Sequence, residues 1–212
     1  MKNLCITLVM AVGVVGAGCS NLERSRSLDD SRVSGKTIAQ QVCSICHGID
    51  GNSTSPMFPR LAEQQREYLV NQLKNFRGTH RSDPPGPEFM WGISRNLTDK
   101  QIDELADYFS SQKIAPTVAN ADPALVAEGK NIFENGVVSQ NVIPCKACHG
   151  EQAQGIGAFP RLANQHAYYI VKQLEVFQLN QGRPGTPMEF IAHPLTGSNK
   201  KAVAAFLQGF PG

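Results

Sequence analysis

Apolar residues recur at helical spacing along most of the chain, and the strand–helix alternation of a βαβ protein is absent. Residues 68–76 place a tyrosine, two leucines and a phenylalanine at positions that share one helical face, and residues 102–109 repeat the pattern. Thr98 and Gln101 have the form of a capping box, which marks the start of the second of these helices. Glycine and proline residues exclude one continuous helix over 77–95. The pattern predicts an all-α protein.

The second half of the chain repeats the first, which indicates a tandem duplication of one small helical domain. The segment FPRLA occurs at residues 58–62 and again at residues 159–163. Matching residues follow each copy at the same spacing: Gln64 and Gln165, Tyr68 and Tyr169, Gln72 and Gln173, Leu73 and Leu174, Phe76 and Phe177. The matched tyrosines and glutamines face either a bound group or the boundary between the domains, and the sequence does not decide between these.

The predicted domains cover residues 35–116 and 122–210, with a short linker between them. Asp122 followed by Pro123 favours a helix start, since an acidic N-cap precedes a proline in the first turn. Residues 136–143 have no counterpart in the first domain and form an insertion.

A second repeated motif supplies the chemistry. Cys43, Cys46 and His47 form a CxxCH sequence, and Cys145, Cys148 and His149 form another, each followed by glycine. CxxCH is the attachment signature of c-type haem. The two thiols of each motif bond covalently to the haem, and the histidine becomes an axial ligand of the iron. The two motifs therefore predict two covalently bound haem c groups.

Three other uses of these cysteines fit the sequence less well. A structural zinc site would need all four cysteines to converge and would leave both histidines unexplained. A thioredoxin-like redox pair would accompany a βαβ pattern, which is absent. Two ordinary disulfides would not require a histidine after each pair.

The second axial ligand of each iron decides whether the protein transfers electrons or binds small molecules. Met90 and Met188 lie in equivalent loops before the last helix of each domain, and we predict that they ligate the irons. Met57 has an alanine as its counterpart, which favours a packing role. The rival histidine ligands have no matching histidine in the other domain and are predicted to be surface or loop residues: His80, His166 and His193.

The repeated Pro-Arg pairs are candidates for supporting roles around each haem. The carbonyl groups of Pro59 and Pro160 could accept the N–H of the proximal imidazole and so fix its tautomer. Arg60 and Arg161 could hold haem propionates by charge-assisted hydrogen bonds. Alternatively, both pairs only shape the loop.

Composition limits the partners. The 212 residues carry a formal net charge of +2, too small for a nucleic-acid-binding protein. Haem propionates would make the holoprotein mildly anionic. Redox proteins are therefore the expected partners, with only weak electrostatic steering.

The N-terminus predicts export. Residues 1–19 have a positive start, a short apolar run and small residues before a processing site, as in a signal peptide. Gly18-Cys19-Ser20 resembles a lipoprotein processing site, in which Cys19 would be lipidated; the alternative is cleavage nearby that leaves a free thiol. Residues 20–34 are polar and are predicted to be a flexible tether. Haem attachment through cysteines fits the oxidising periplasm, so we expect a periplasmic protein, soluble or lipid-anchored.

Together, the two CxxCHG motifs, the doubled FPRLA segments and the two methionine loops resemble the cytochrome c4 family of bacterial dihaem cytochromes. The resemblance covers about residues 35–210. It implies two class I cytochrome c domains related by pseudo-twofold symmetry, with His47 and Met90 on one iron and His149 and Met188 on the other. It also implies a non-enzymatic carrier between a quinol-oxidising complex, such as a quinol:cytochrome c oxidoreductase, and a terminal oxidase. The alternatives are the haem-bearing subunit of a dehydrogenase, such as a flavocytochrome, and a dihaem catalyst.

Overall fold

The computed structural model describes residues 27–84, 86–117 and 120–212. The predicted signal peptide, Cys19 and the first part of the predicted tether lie outside the described residues. Within the described ranges the protein is helical, and pairing of extended chain is limited to two isolated bridges.

The first domain contains two longer helices, each preceded by short helical segments. The helical segments of this domain are α1 (Gly35–Ile38), a π-helical stretch (Ala39–Cys43), α2 (Ser44–His47), α3 (Arg66–Arg77), a second π-helical stretch (Pro87–Trp91), α4 (Gly92–Ser94) and α5 (Asp99–Ser110). The capping box predicted at the start of α5 is present, because the Thr98 side chain accepts from the Gln101 backbone and the Gln101 side chain accepts from that of Thr98. The predicted break over 77–95 is also present, since loop separates α3 from the helical segments before α5.

The second domain repeats this order. The helical segments are α6 (Pro123–Asn135), a 3₁₀ turn (Val138–Gln140), α7 (Lys146–His149), α8 (Ala167–Gln178), α9 (Met188–Ala192) and α10 (Gly197–Gly209). Asp122 caps α6 through the N–H of Ala124, and Pro123 occupies the first turn as predicted. The insertion closes on itself through paired backbone hydrogen bonds between Val137 and Val142.

Each domain has its own apolar core. In the first domain α1 and α3 pack on α5, whose Ile102 is fully buried. In the second domain α6 and α8 pack on α10 around the fully buried Phe133. The helices cross closely because glycine stands at the contact: a Cβ on Gly129 would collide with the backbone oxygen of Ala202. Two separate cores support the interpretation of a duplicated domain.

The tether prediction is wrong for residues 27–34. Val33 is only 8% exposed and packs in the first core, with Leu28 beside it. The Gln101 side chain donates to the backbone oxygens of Asp30 and Val33, at 3.0 and 2.9 Å. This stretch has enough buried apolar surface and hydrogen bonding to join the first domain.

None of the described helices is both long enough and apolar enough to span a bilayer.

Candidate haem sites

Both CxxCH motifs occupy one helical turn that a glycine ends. Residues three and four apart share a helix face, so the turn brings both thiols and the following imidazole of each motif to the same side. The chain then reverses at Gly48, with φ of 78°, and at Gly150, with φ of 83°. These left-handed angles suit glycine, which explains why each motif continues with this residue. The two halves thus present the same donor set in the same local geometry.

The thiols are available for covalent attachment. All four motif cysteines are free, and no disulfide joins them. Burial raises the pKa of Cys43 to about 12 and that of Cys145 to about 11, so these thiols are protonated at neutral pH. Among the described residues, no group of three or more histidine, cysteine or acidic side chains is placed to hold a metal ion. The zinc and disulfide alternatives therefore find no support.

Each motif histidine is buried and makes one matched hydrogen bond. His47 Nδ1 lies 2.9 Å from the carbonyl oxygen of Pro59, and His149 Nδ1 lies 2.9 Å from that of Pro160. A carbonyl oxygen can only accept, so Nδ1 carries the proton and Nε2 keeps a free lone pair. Burial lowers the pKa of both histidines, which favours this neutral form. The imidazoles are therefore in the tautomer that a haem iron requires.

The phenylalanine of each FPRLA segment packs on the imidazole ring of the motif histidine in its own domain. Phe58 meets His47 edge to face, with centroids 6.2 Å apart, and Phe159 meets His149 in the same way at 6.4 Å. One face contact and one hydrogen bond together restrict both the position and the rotation of each imidazole.

The repeated arginines are held at the boundary between the domains. The Arg60 guanidinium donates to the Asn164 oxygen and to the Asn52 side chain, both at 3.0 Å, and that of Arg161 donates to the Pro211 oxygen at 3.1 Å. The Nε atom of each arginine is buried and has no hydrogen-bond partner among the described residues. One unused donor in each domain fits an anionic group such as a haem propionate.

The two predicted methionine ligands lie in helical segments after the long loop of each domain. Met90 lies in the π-helical stretch, where its backbone oxygen accepts from the Ser94 hydroxyl at 2.6 Å. Met188 begins α9 and packs against the second core. Both side chains are half-buried. Met57 is 58% exposed, so the predicted packing role is wrong for this residue.

His166 lies in the loop before α8, as predicted, but it is not a surface residue, because it is buried between the domains. Its Nε2 atom lies 3.0 Å from the Ser53 backbone oxygen and 2.9 Å from the Ser53 hydroxyl. This nitrogen is therefore engaged by the first domain. His193 follows α9 as its C-cap, and His80 lies in the loop after α3, as expected for loop residues.

The matched tyrosines and glutamines lie between the domains, in a buried cluster with residues that the sequence did not single out. The interdomain cluster consists of Tyr68, Gln72, Arg81, Asp83, Tyr169, Gln173 and Arg183. Arg81 donates to Gln72 of its own domain at 2.7 Å and to Gln173 of the other at 3.3 Å. Arg183 reciprocates by donating to both glutamines. The two arginines occupy matching loops, which is the signal that could have identified them.

Comparison with known proteins agrees with this geometry. The family model for cytochrome c matches residues 33–113 and 126–210. The chain is 34% identical to cytochrome c4 of Azotobacter vinelandii over 220 residues, which is 99% of each chain. It is 38% identical over 178 residues to the thiosulfate dehydrogenase electron acceptor of Stutzerimonas stutzeri, covering 81% of this chain and 80% of the relative. The solved cytochrome c4 of Acidithiobacillus ferrooxidans superposes with a TM-score of 0.73 at 40% identity, covering 79% of this chain and 98% of the other.

Proposed function

Since the chain belongs to the cytochrome c family and is a dihaem electron carrier, we propose that it transfers electrons in the periplasm between a quinol-oxidising complex and a terminal oxidase. Its two tandem cytochrome c domains each bind one covalent haem c through a CxxCH motif. The proposal includes that the protein is not itself an enzyme and that redox proteins, rather than nucleic acids, are its partners.

One observation supports the carrier over a dihaem catalyst: the two proximal sites are alike. His47 and His149 are both buried, and each donates to a proline carbonyl at 2.9 Å. Each domain also presents a half-buried methionine, Met90 or Met188, in a helical segment before its last helix. A catalyst needs one iron with an open or replaceable ligand, whereas matched histidine and methionine ligands suit electron transfer at both.

Different residues attach the porphyrin, ligate the iron and orient the proximal ligand. Cys43 and Cys46, and likewise the second cysteine pair, attach the porphyrin. His47, through Nε2, and Met90, through its sulfur, would hold the iron in the first domain, and His149 and Met188 would do the same in the second. When bound, the haem supplies a reversible one-electron centre. The Pro59 carbonyl, by accepting from Nδ1, keeps the imidazole oriented and raises its basicity.

The test is a redox titration of the purified holoprotein followed by optical spectroscopy, with carbon monoxide added to the reduced form. We expect two haems per chain, spectra typical of methionine ligation, and no rapid binding of carbon monoxide. Rapid binding of carbon monoxide to one native haem would instead support the catalyst. Reduction by a purified quinol-oxidising complex and oxidation by terminal-oxidase membranes would test the two partners.

A second candidate is the electron acceptor of a dehydrogenase. The similarity to the thiosulfate dehydrogenase electron acceptor of Stutzerimonas stutzeri favours this alternative, which shares the haem chemistry and differs in the donor. Mixing the oxidised protein with a thiosulfate dehydrogenase and thiosulfate distinguishes the two. Haem reduction within the enzyme's turnover time would favour the dehydrogenase, and reduction only by the quinol-oxidising complex would favour the respiratory carrier. A stable complex with a flavoprotein would point to a flavocytochrome instead.

Membrane attachment through Cys19 is a further part of the proposal. A lipidated Cys19 would carry the acyl chains needed for stable anchoring, whereas cleavage nearby would release a soluble or peripheral protein. Cys19→Ser should move the protein from the membrane to the soluble fraction. Unchanged fractionation of this variant would contradict the anchor without affecting the haem assignment.

A further inference from the structure

The two domains hold each other through a reciprocal pair of glutamines. The Gln165 side chain accepts from the Arg60 backbone N–H at 2.9 Å and donates to the Arg60 carbonyl at 3.0 Å. In the same way, Gln64 accepts from the Arg161 N–H at 2.6 Å and donates to the Arg161 carbonyl at 3.0 Å. Both glutamines are buried. Each FPRLA segment is therefore bound by the glutamine that follows the other copy.

The N–H that each glutamine accepts from belongs to the same peptide group whose carbonyl accepts from the proximal histidine. The carbonyl of Pro59 and the N–H of Arg60 are the two ends of one peptide unit. His47 donates to the carbonyl end at 2.9 Å, while Gln165 of the other domain accepts from the N–H end at 2.9 Å. The Pro160–Arg161 peptide lies in the same way between His149 and Gln64.

A hydrogen bond at one end of a peptide group strengthens the bond at the other end. Donation from the N–H moves electron density toward the carbonyl oxygen, which becomes a better acceptor. The plane of the peptide is also fixed at both ends, so that its carbonyl remains aimed at the imidazole. A stronger acceptor makes the histidine a more basic ligand, which stabilises the oxidised iron and lowers the reduction potential.

We propose that each glutamine positions the proximal imidazole of the opposite domain: Gln165 acts on His47, and Gln64 acts on His149. The inference rests on haem ligation by these two histidines. Neither glutamine is an iron ligand, and both act only through the intervening peptide. Contact between the domains thereby becomes part of what sets the two reduction potentials, because a glutamine of each domain acts on the haem of the other.

The test uses the full-length holoprotein with Gln165→Ala and, separately, Gln64→Ala. Hydrogen exchange of the imidazole Nδ1–H is measured by NMR in the reduced protein, with His47 and His149 assigned by sequence. Gln165→Ala should accelerate exchange at His47 by about tenfold and leave His149 unchanged, since two neutral hydrogen bonds are lost near one ring. Gln64→Ala should give the opposite pattern. In redox titrations each variant should raise one of the two haem potentials. The potential that rises in Gln165→Ala should not be the one that rises in Gln64→Ala.

Gln65→Ala is the matched control. Gln65 adjoins Gln64 and also crosses the boundary, donating to the Gln154 carbonyl at 2.7 Å, but it makes no hydrogen bond to the Pro160–Arg161 peptide. This variant should leave exchange at His149 near the wild-type rate. The proposal is overturned if Gln65→Ala matches Gln64→Ala, if the effects fall within the substituted domain, or if neither histidine changes. Failure of the carrier assignment would appear separately, in the wild-type titration.

Discussion

His166 donates from Nε2 to the backbone oxygen of Ser53, 3.0 Å away, across the domain boundary. At the equivalent place in the other half of the interface, Gln65 donates to the backbone oxygen of Gln154 at 2.7 Å. The duplicated interface thus uses a neutral amide on one side and a titratable ring on the other. Burial lowers the pKa of His166, and the nearby Arg60 charge lowers it further, although the bond to Ser53 opposes both.

This difference predicts that the free energy of unfolding depends on pH through His166, and that His166→Gln should remove this dependence. In the unfolded chain the imidazole binds a proton near its ordinary pKa of about 6.5. In the folded protein the pKa of His166 is lower, so the unfolded state binds the proton first. The free energy of unfolding therefore falls as the pH drops from about 6.5 toward the lowered pKa of the folded state. Glutamine can keep the bond to Ser53, as Gln65 does to Gln154. Urea unfolding of both holoproteins between neutral and mildly acidic pH measures the difference.

His80→Gln is the control for the His166 prediction, since His80 lies in an exposed loop. Its pH profile should follow that of the wild type. Parallel profiles for the wild type and His166→Gln would show that the interface histidine does not titrate differently on folding.

Met188→Ala should open one of the two haems. Removing the thioether leaves the proposed sixth position of the second iron vacant, so that haem should bind carbon monoxide or cyanide and its potential should fall. The first haem should remain closed, so that half of the total haem responds. Ligand titration followed by optical spectroscopy measures the fraction. Met57→Ala, at a methionine that is 58% exposed, should change neither haem. An unaltered spectrum in Met188→Ala would defeat the ligand assignment.

Gly129→Ala should destabilise the second domain. The added methyl group would collide with the Ala202 backbone oxygen in α10, and the two helices would have to separate. We expect a loss of about 2 kcal/mol in the free energy of unfolding, as for overpacked cores. Gly197→Ala is the matched control, because a Cβ there has no neighbour within 4 Å, and it should stabilise by up to about 1 kcal/mol. Urea denaturation compares the two; equal effects would contradict the packing argument.

Asp83→Asn should destabilise the interdomain cluster. Asp83 is 2% exposed and pairs with Arg81 at 2.7 Å while accepting from Gln173 at 3.1 Å. Burial alone would raise the pKa of Asp83, but the hydrogen bonds and charge of Arg81 outweigh it and lower the pKa. Loss of the carboxylate leaves a buried arginine uncompensated, at a cost of about 3 kcal/mol.

Asp103→Asn provides the comparison for Asp83. The Arg66–Asp103 pair is similar in length, at 3.0 Å, but both side chains are nearly half exposed. Water screens such pairs, so the variant should lose less than about 1 kcal/mol. Both are measured by urea unfolding, and a loss at Asp83 no larger than that at Asp103 would show that burial does not strengthen the first pair.

The local chemistry was readable from the sequence because it depends on neighbouring residues. A CxxCH motif places two thiols and an imidazole on one helical turn wherever it folds as a helix, and the capping box at Thr98 also acts within four residues. The duplication was equally visible, since equal spacing of FPRLA and the residues after it requires no knowledge of contacts. The repeat also made the Pro59 and Pro160 carbonyls candidate acceptors, although the alternative that these prolines only shape the loop stayed open at that point.

The errors at residues 27–34 and at His166 concern contacts between distant parts of the chain. Residues 27–34 look polar, yet Gln101 binds their backbone from a helix about seventy residues further on. His166 lies in a loop as predicted, but it is buried rather than at the surface, because it faces Ser53 of the other domain.

By itself the sequence determined the helical class, the duplication, the haem-attachment residues and their histidines, because spacing along one chain fixes which groups share a turn. Only the tertiary structure decided how the halves meet. Gln64 with Arg161 and Gln165 with Arg60 are about a hundred residues apart, and no local pattern specifies their pairing. That pairing follows from the burial of backbone donors and acceptors at an interface, where each must find a partner.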